Sequence, residues 1–119
     1  QRPIETTLPL AVKHDVGVIV KRPIGNVVWR HAERPDDSYN HKYWDRSQIL
    51  RYAFTKDADA AGVALRFTLA QPGVHTAIVG TKDPDHCAAN VASLAAGALD
   101  EESVRAIRER WKEVAAKLA

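Results

Sequence analysis

Methionine is absent from this 119-residue chain, and cysteine occurs once, as Cys87. A lone cysteine excludes an internal disulfide. Small secreted domains usually carry several, so the count points to a reducing, cytoplasmic setting. The chain opens on Gln1-Arg2-Pro3, where an unprocessed translation product has methionine, and the expectation is a piece of a longer cytoplasmic protein. Long apolar runs are missing too. Stretches such as Val16-Gly17-Val18-Ile19-Val20 fall far short of the roughly 20 residues that cross a bilayer, so no membrane role is expected. Charge of one sign is not concentrated anywhere. Lys+Arg 17 against Asp+Glu 15 leaves a net +2, interspersed along the chain. The basic footprint that nucleic acid requires is missing. With 45% hydrophobic and 27% charged residues, the composition is that of an ordinary folded domain. The length allows one domain or part of one, not two cores of normal size.

Apolar residues at Ile4, Leu8, Ala11 and Val12 follow helical spacing and predict a first helix that ends near His14. Val16 to Val20 reads as a β-branched strand buried on both faces, as in a parallel sheet. Gly25 to Lys56 is the least regular stretch, with Pro35-Asp36-Asp37-Ser38 as its turn signal and a helix expected within Tyr43 to Phe54. Asp57 to Ala70 predicts a helix with Ala58, Ala61, Gly62, Leu65 and Leu69 on one face, stopped by Gln71-Pro72-Gly73. Val74 to Val79 is a second strand. Asp83-Pro84 supplies an N-cap followed by proline at the first helical position, so a helix is expected to run to about Ala96. Asp100 caps the last helix, whose stripe is Val104, Ile107, Trp111, Val114 and Leu118. Buried strands alternating with helices argue for a parallel α/β sheet, and two strands alone leave that pattern incomplete.

Two segments invite chemistry. In Ile78-Val79-Gly80-Thr81-Lys82-Asp83-Pro84-Asp85-His86 a strand passes through glycine into a helix N-terminus, where backbone N–H groups and the dipole favour an anion. Asp83 and Asp85 oppose one, and the same residues also read as an ordinary cap beside a solvated lysine. Lys21-Arg22-Pro23-Ile24-Gly25-Asn26 closes the other strand. Ligands of parallel α/β proteins collect at the C-terminal ends of strands, which is where both segments fall. Ion pairing at the sheet rim is the plainer account of Lys21 and Arg22. His31, Asp36, Asp37, His41 and Asp45 lack the spacing of a metal site and read as a mixed surface loop. Cys87 reads as a small packing residue, buried or half-buried.

These segments resemble the aldo-keto reductases, specifically the C-terminal third of that family. The resemblance rests on Gly17-Val18-Ile19-Val20-Lys21-Arg22-Pro23-Ile24-Gly25-Asn26 with Trp29, on Ala64-Leu65-Arg66-Phe67-Thr68-Leu69, and on Thr76-Ala77-Ile78-Val79-Gly80-Thr81-Lys82 with Pro84, His86 and Asn90. It implies an α/β fold, the C-terminal part of a TIM-type (β/α)8 barrel with parallel strands and a terminal helix. Residues 1–119 would then be one partial domain, with strands seven and eight and their helices. It further implies NADP(H) as cofactor and, in the complete barrel, reduction of a small aldehyde or ketone. Carried over by position, Thr81 and Lys82, after Gly80, meet the 2′-phosphate of the adenosine. His86 stands where many members have arginine, and Asn90 contacts the adenine. Arg22, Ile24 and Asn26 approach the pyrophosphate, mainly through backbone groups. Lys21 replaces a nicotinamide-stacking tyrosine, and Ala89 replaces a glutamate. The family's catalytic Asp, Tyr, Lys and His come from the first half of the barrel, so none is assigned here and this chain alone is expected to be inactive. The alternative is a non-catalytic half-barrel that pairs its open sheet edges with another copy as an assembly module.

Overall fold

A computed structural model describes residues 1–118. The chain divides into two compact units, Gln1–Ile24 with Ala61–Leu99, and Gly25–Ala60 with the chain from Asp100 onward.

The first unit is built on strands β1 (Ile19–Lys21) and β2 (Thr76–Ile78). They pair in parallel, Ile19 opposite Thr76, Val20 opposite Ala77 and Lys21 opposite Ile78. The predicted parallel arrangement is therefore present, between strands shorter than expected. Where the strands begin, the amides of His75 and Thr76 both donate to the Val18 carbonyl. The Val18 amide donates back to Nδ1 of His75 at 3.1 Å. A ring nitrogen that accepts an N–H holds its lone pair there, so the proton of the neutral ring sits on Nε2.

Burial on both strand faces is not what the structure has. Val20 and Ala77 are half-buried, while Ile19 is 60% and Ile78 58% exposed. Side chains alternate across a strand, so only one face of this ribbon is covered.

The first helix is interrupted at Thr6, giving α1 (Arg2–Glu5) and α2 (Thr7–Lys13). Pro9 is tolerated as the third residue of α2, because a first-turn N–H has no partner within the helix to lose. His14 is the C-cap, where the helix was expected to end. Gly73 lies against α2 with φ +88, and a Cβ there would come within 2.7 Å of Val12 Cγ2. Glycine is needed at that position for both its conformation and its bareness. Helix α4 (Ala60–Leu69) begins later than Asp57 and buries Ala64, Leu65 and Phe67. Its end is closed by the buried Gln71, whose side chain donates to the Phe67 carbonyl. Helix α5 (Pro84–Ala95) starts on the Asp83 cap with Pro84 in its first turn, as the sequence predicts.

The second unit packs α3 (Ser38–Leu50) with α6 (Glu101–Val114) and the 3-10 segments Gly25–Arg30, Ala53–Lys56 and Ala115–Leu118. Helix α3 begins five residues before the predicted Tyr43 and ends before Phe54. Asp37 is a helix cap, accepting the Tyr39 amide at 3.0 Å, so the turn signal also marks a helix start. Arg51 ends the helix at φ 44, in the left-handed region. Its last carbonyls are satisfied from α6: Arg110 donates to Leu50 O at 2.6 Å and to Ile49 O at 2.9 Å. The predicted stripe of α6 faces inward, with Ile107, Trp111 and Val114 buried. Phe54 contributes from its 3-10 turn instead, its ring edge-on to Trp29 at 6.1 Å.

Candidate functional site

Parallel pairing sends both strands of the first unit out at the same end, so the chains leaving β1 and β2 emerge side by side. Lys21 is the last residue of β1, and Arg22 follows it at φ 58, exposed. Ile24 is half-buried. The Thr68 hydroxyl of α4 reaches the Pro23 carbonyl at 3.4 Å, which ties this outgoing segment to the helix beneath it.

Gly80, Thr81 and Lys82 leave β2 on the same edge, all exposed. A Cβ on Gly80 would meet nothing within 4 Å, so the backbone there is open to approach. The Thr81 hydroxyl is engaged within its own turn. It accepts the Asp83 amide at 3.1 Å and lies 3.2 Å from the Asp83 carbonyl. Asp83 Oδ1 accepts the Asp85 amide at 2.9 Å, and Oδ2 lies 3.7 Å from His86 Nε2. Lys82, between these two residues, forms no ion pair among the described residues. His86 and the half-buried Asn90 are one helical turn apart on α5, so they share a face. The edge of the first unit thus gathers Arg22, Ile24, Gly80, Thr81 and Lys82, and α5 continues from it with His86 and Asn90.

Cys87 is exposed rather than buried or half-buried. The reason is local: residues 84–89, the start of α5, are all exposed.

Asn26 belongs to the second unit. It stands in a run of left-handed residues, Gly25 (φ 51), Asn26 (φ 57) and Val27 (φ 55). A β-branched residue at such a φ is a conformational outlier, of the kind that clusters at functional turns. The Asn26 side chain points into its own unit and donates to Asn40 Oδ1 at 3.0 Å. That bond engages the amide NH2 of Asn26 within its own unit. Asn40 escaped the sequence reading. The spacing Asp37-x-x-Asn40 at a helix start, where a cap and the third helical residue commonly exchange hydrogen bonds, was the available signal.

The remaining loop polar groups hold the loop to α3. Arg34 donates twice to Asp45, at 2.9 and 2.7 Å, His41 Nε2 donates to the Pro35 carbonyl at 2.9 Å, and Trp44 donates to the His31 carbonyl at 3.1 Å. The Arg34 hydrogen bond, with its charge, holds the Asp45 carboxyl below its ordinary value. Among the described residues no group of three or more His, Cys, Asp or Glu could hold a metal ion. No helix among them is long and apolar enough to cross a membrane.

The model of the Aldo/keto reductase family matches residues 1–112 of the chain. No curated protein and no solved structure matches it.

Proposed function

The chain belongs to the aldo/keto reductase family, and from that premise we propose that it is the C-terminal segment of a (β/α)8 barrel, supplying part of the NADP(H) site of a carbonyl-reducing oxidoreductase. The observation that carries this reading is the parallel register of β1 and β2, which leaves Arg22 and Lys82 at one end of the sheet. Two exposed cations there, beside an open glycine and the start of a 12-residue helix, make a donor set suited to a phosphate-bearing ligand. The residues therefore fit the anionic end of the cofactor.

Roles follow from the chemistry and place of each group. Lys82, without an ion pair among the described residues, is the 2′-phosphate ligand, and Arg22 adds charge from just beyond β1. Thr81, its hydroxyl already spent on Asp83, shapes the turn so that the Gly80 and Thr81 backbone faces outward. Asp83 is neutralised in part by the Asp85 amide and, when the ring is protonated, by His86. His86 is thus both a candidate phosphate contact and a shield for the cap. Asn90, one turn further along, offers an amide to the adenine. Ile24 and Asn26 approach the pyrophosphate through backbone groups, Asn26 from its own left-handed turn. When bound, NADP(H) supplies the reducing equivalents for converting an aldehyde or ketone to an alcohol. The catalytic Asp, Tyr, Lys and His of the family are assigned to barrel strands outside this chain.

Titrating the chain with NADPH and NADH, following nicotinamide fluorescence, tests the assignment. Lys82→Ala is expected to weaken NADPH binding roughly ten- to hundredfold, the value of one charge-assisted hydrogen bond, while leaving NADH binding nearly unchanged. His86→Ala is expected to weaken it less. If both variants bind NADPH as the parent does, the phosphate assignment is wrong.

A second reading, a half-barrel that pairs its sheet with another copy, draws on the exposed outer face of β1 and β2, where Ile19 and Ile78 lie open.

A further inference from the structure

The left-handed run at Gly25, Asn26 and Val27 needs something to hold it. Glycine adopts such a φ freely, but asparagine does so less readily and valine rarely. Three side chains of the second unit are arranged to do this. Asp37 caps α3, its Oδ1 taking the Tyr39 amide at 3.0 Å. Its other oxygen, Oδ2, accepts Nδ2 of Asn40 at 3.1 Å. Asn40 Oδ1 in turn accepts Nδ2 of Asn26 at 3.0 Å, in a part-buried position.

The order of this relay is dictated by chemistry. An ionised carboxylate has only acceptors, so Asn40 must turn its NH2 toward Asp37, and that fixes its carbonyl oxygen toward Asn26. An amide facing the other way would set oxygen against oxygen at Asp37 and NH2 against NH2 at Asn26. Asn40 also sits on the third helical residue, with its own amide bonded to the Asp37 carbonyl at 3.0 Å, so its backbone is fixed by the cap as well.

We infer that Asn40 is a positioning residue, which holds Asn26 in the left-handed conformation and thereby sets the backbone of the Gly25–Val27 turn that the cofactor would meet. The consequence for binding rests on the cofactor reading above. The conformational claim does not.

The experiment uses the full chain with Asn40→Ala and with Asn40→Leu, which keeps the branched side-chain shape but has no amide, each alone and combined with Asn26→Gly. Two readouts are taken: the HN–Hα couplings and backbone chemical shifts of residues 26 and 27 without cofactor, and the NADPH affinity. Either Asn40 substitution alone is expected to shift the couplings away from left-handed values and to weaken NADPH binding about fivefold, the worth of one part-buried hydrogen bond. With Asn26→Gly present, glycine takes the positive φ unaided, so the Asn40 substitutions are expected to change neither readout further. Couplings that stay left-handed in both single variants overturn the inference, as does an equal loss of affinity with and without Asn26→Gly. A parent chain that binds no NADPH overturns the cofactor reading alone, and the couplings still decide the role of Asn40.

Discussion

The Asp100 carboxylate accepts the Ser103 amide at 2.8 Å and the Ser103 hydroxyl at 2.7 Å, which closes the first turn of α6. These bonds, the backbone one first, hold the carboxyl below its ordinary value near 3.8. A carboxyl that is more acidic in the folded state adds stability that is fully present above its unfolded value and is lost as pH falls through its folded one. Thermal melts of the parent and of Asp100→Ala are therefore expected to differ by several degrees at neutral pH and to converge as pH drops below the ordinary carboxylate range. A gap that stays constant down to the lowest pH would show that the cap does not depend on ionisation. Asp100 and Asp83 could both be read as caps from the sequence, because a cap needs only a short polar side chain just ahead of a helix. Asn40 could not be read so easily. Its partner Asn26 is fourteen residues away, and a pairing across a turn leaves no periodic trace.

At the scale of elements, α6 is the clearest case of pattern becoming packing. Ile107, Trp111 and Val114 recur at helical spacing, and all three are buried. Removing the Ile107 side chain with Ile107→Ala is expected to cost about 2–5 kcal/mol in urea denaturation, as for other large-to-small core changes. The exposed Glu109→Ala is the control and is expected to change little. A cost for Ile107→Ala no larger than that control would mean that the helix does not form the core of its unit. The boundaries of α3 were harder to read. Pro35-Asp36-Asp37-Ser38 serves as both a turn signal and a helix start, and the choice depends on whether the next turn finds partners. Here it does, since Arg110 of α6 satisfies the last carbonyls of α3 across 60 residues of sequence. The strands erred the other way. A β-branched run reports the tendency to extend but not how many residues find a partner strand, and only three on each side do.

For the whole molecule, the two-stranded ribbon is the surface that governs association. Each strand lies at an edge, and the outer face is apolar at Ile19 and Ile78. Such a surface favours association. Light scattering of the isolated chain is expected to show a mass that rises with concentration. A well-folded monomer over the whole range would remove the reading as a self-pairing module and leave the barrel segment. The sequence by itself determined the family, the parallel α/β class, the caps of α5 and α6 and the inward stripe of α6, because each is written in neighbouring residues and short periods. Only the tertiary structure decided that the strands are half-open, that Cys87 faces solvent and that Asn40 grips Asn26. Those outcomes depend on contacts between residues far apart in the chain, and such contacts form only where the folded backbone brings them within a few ångströms.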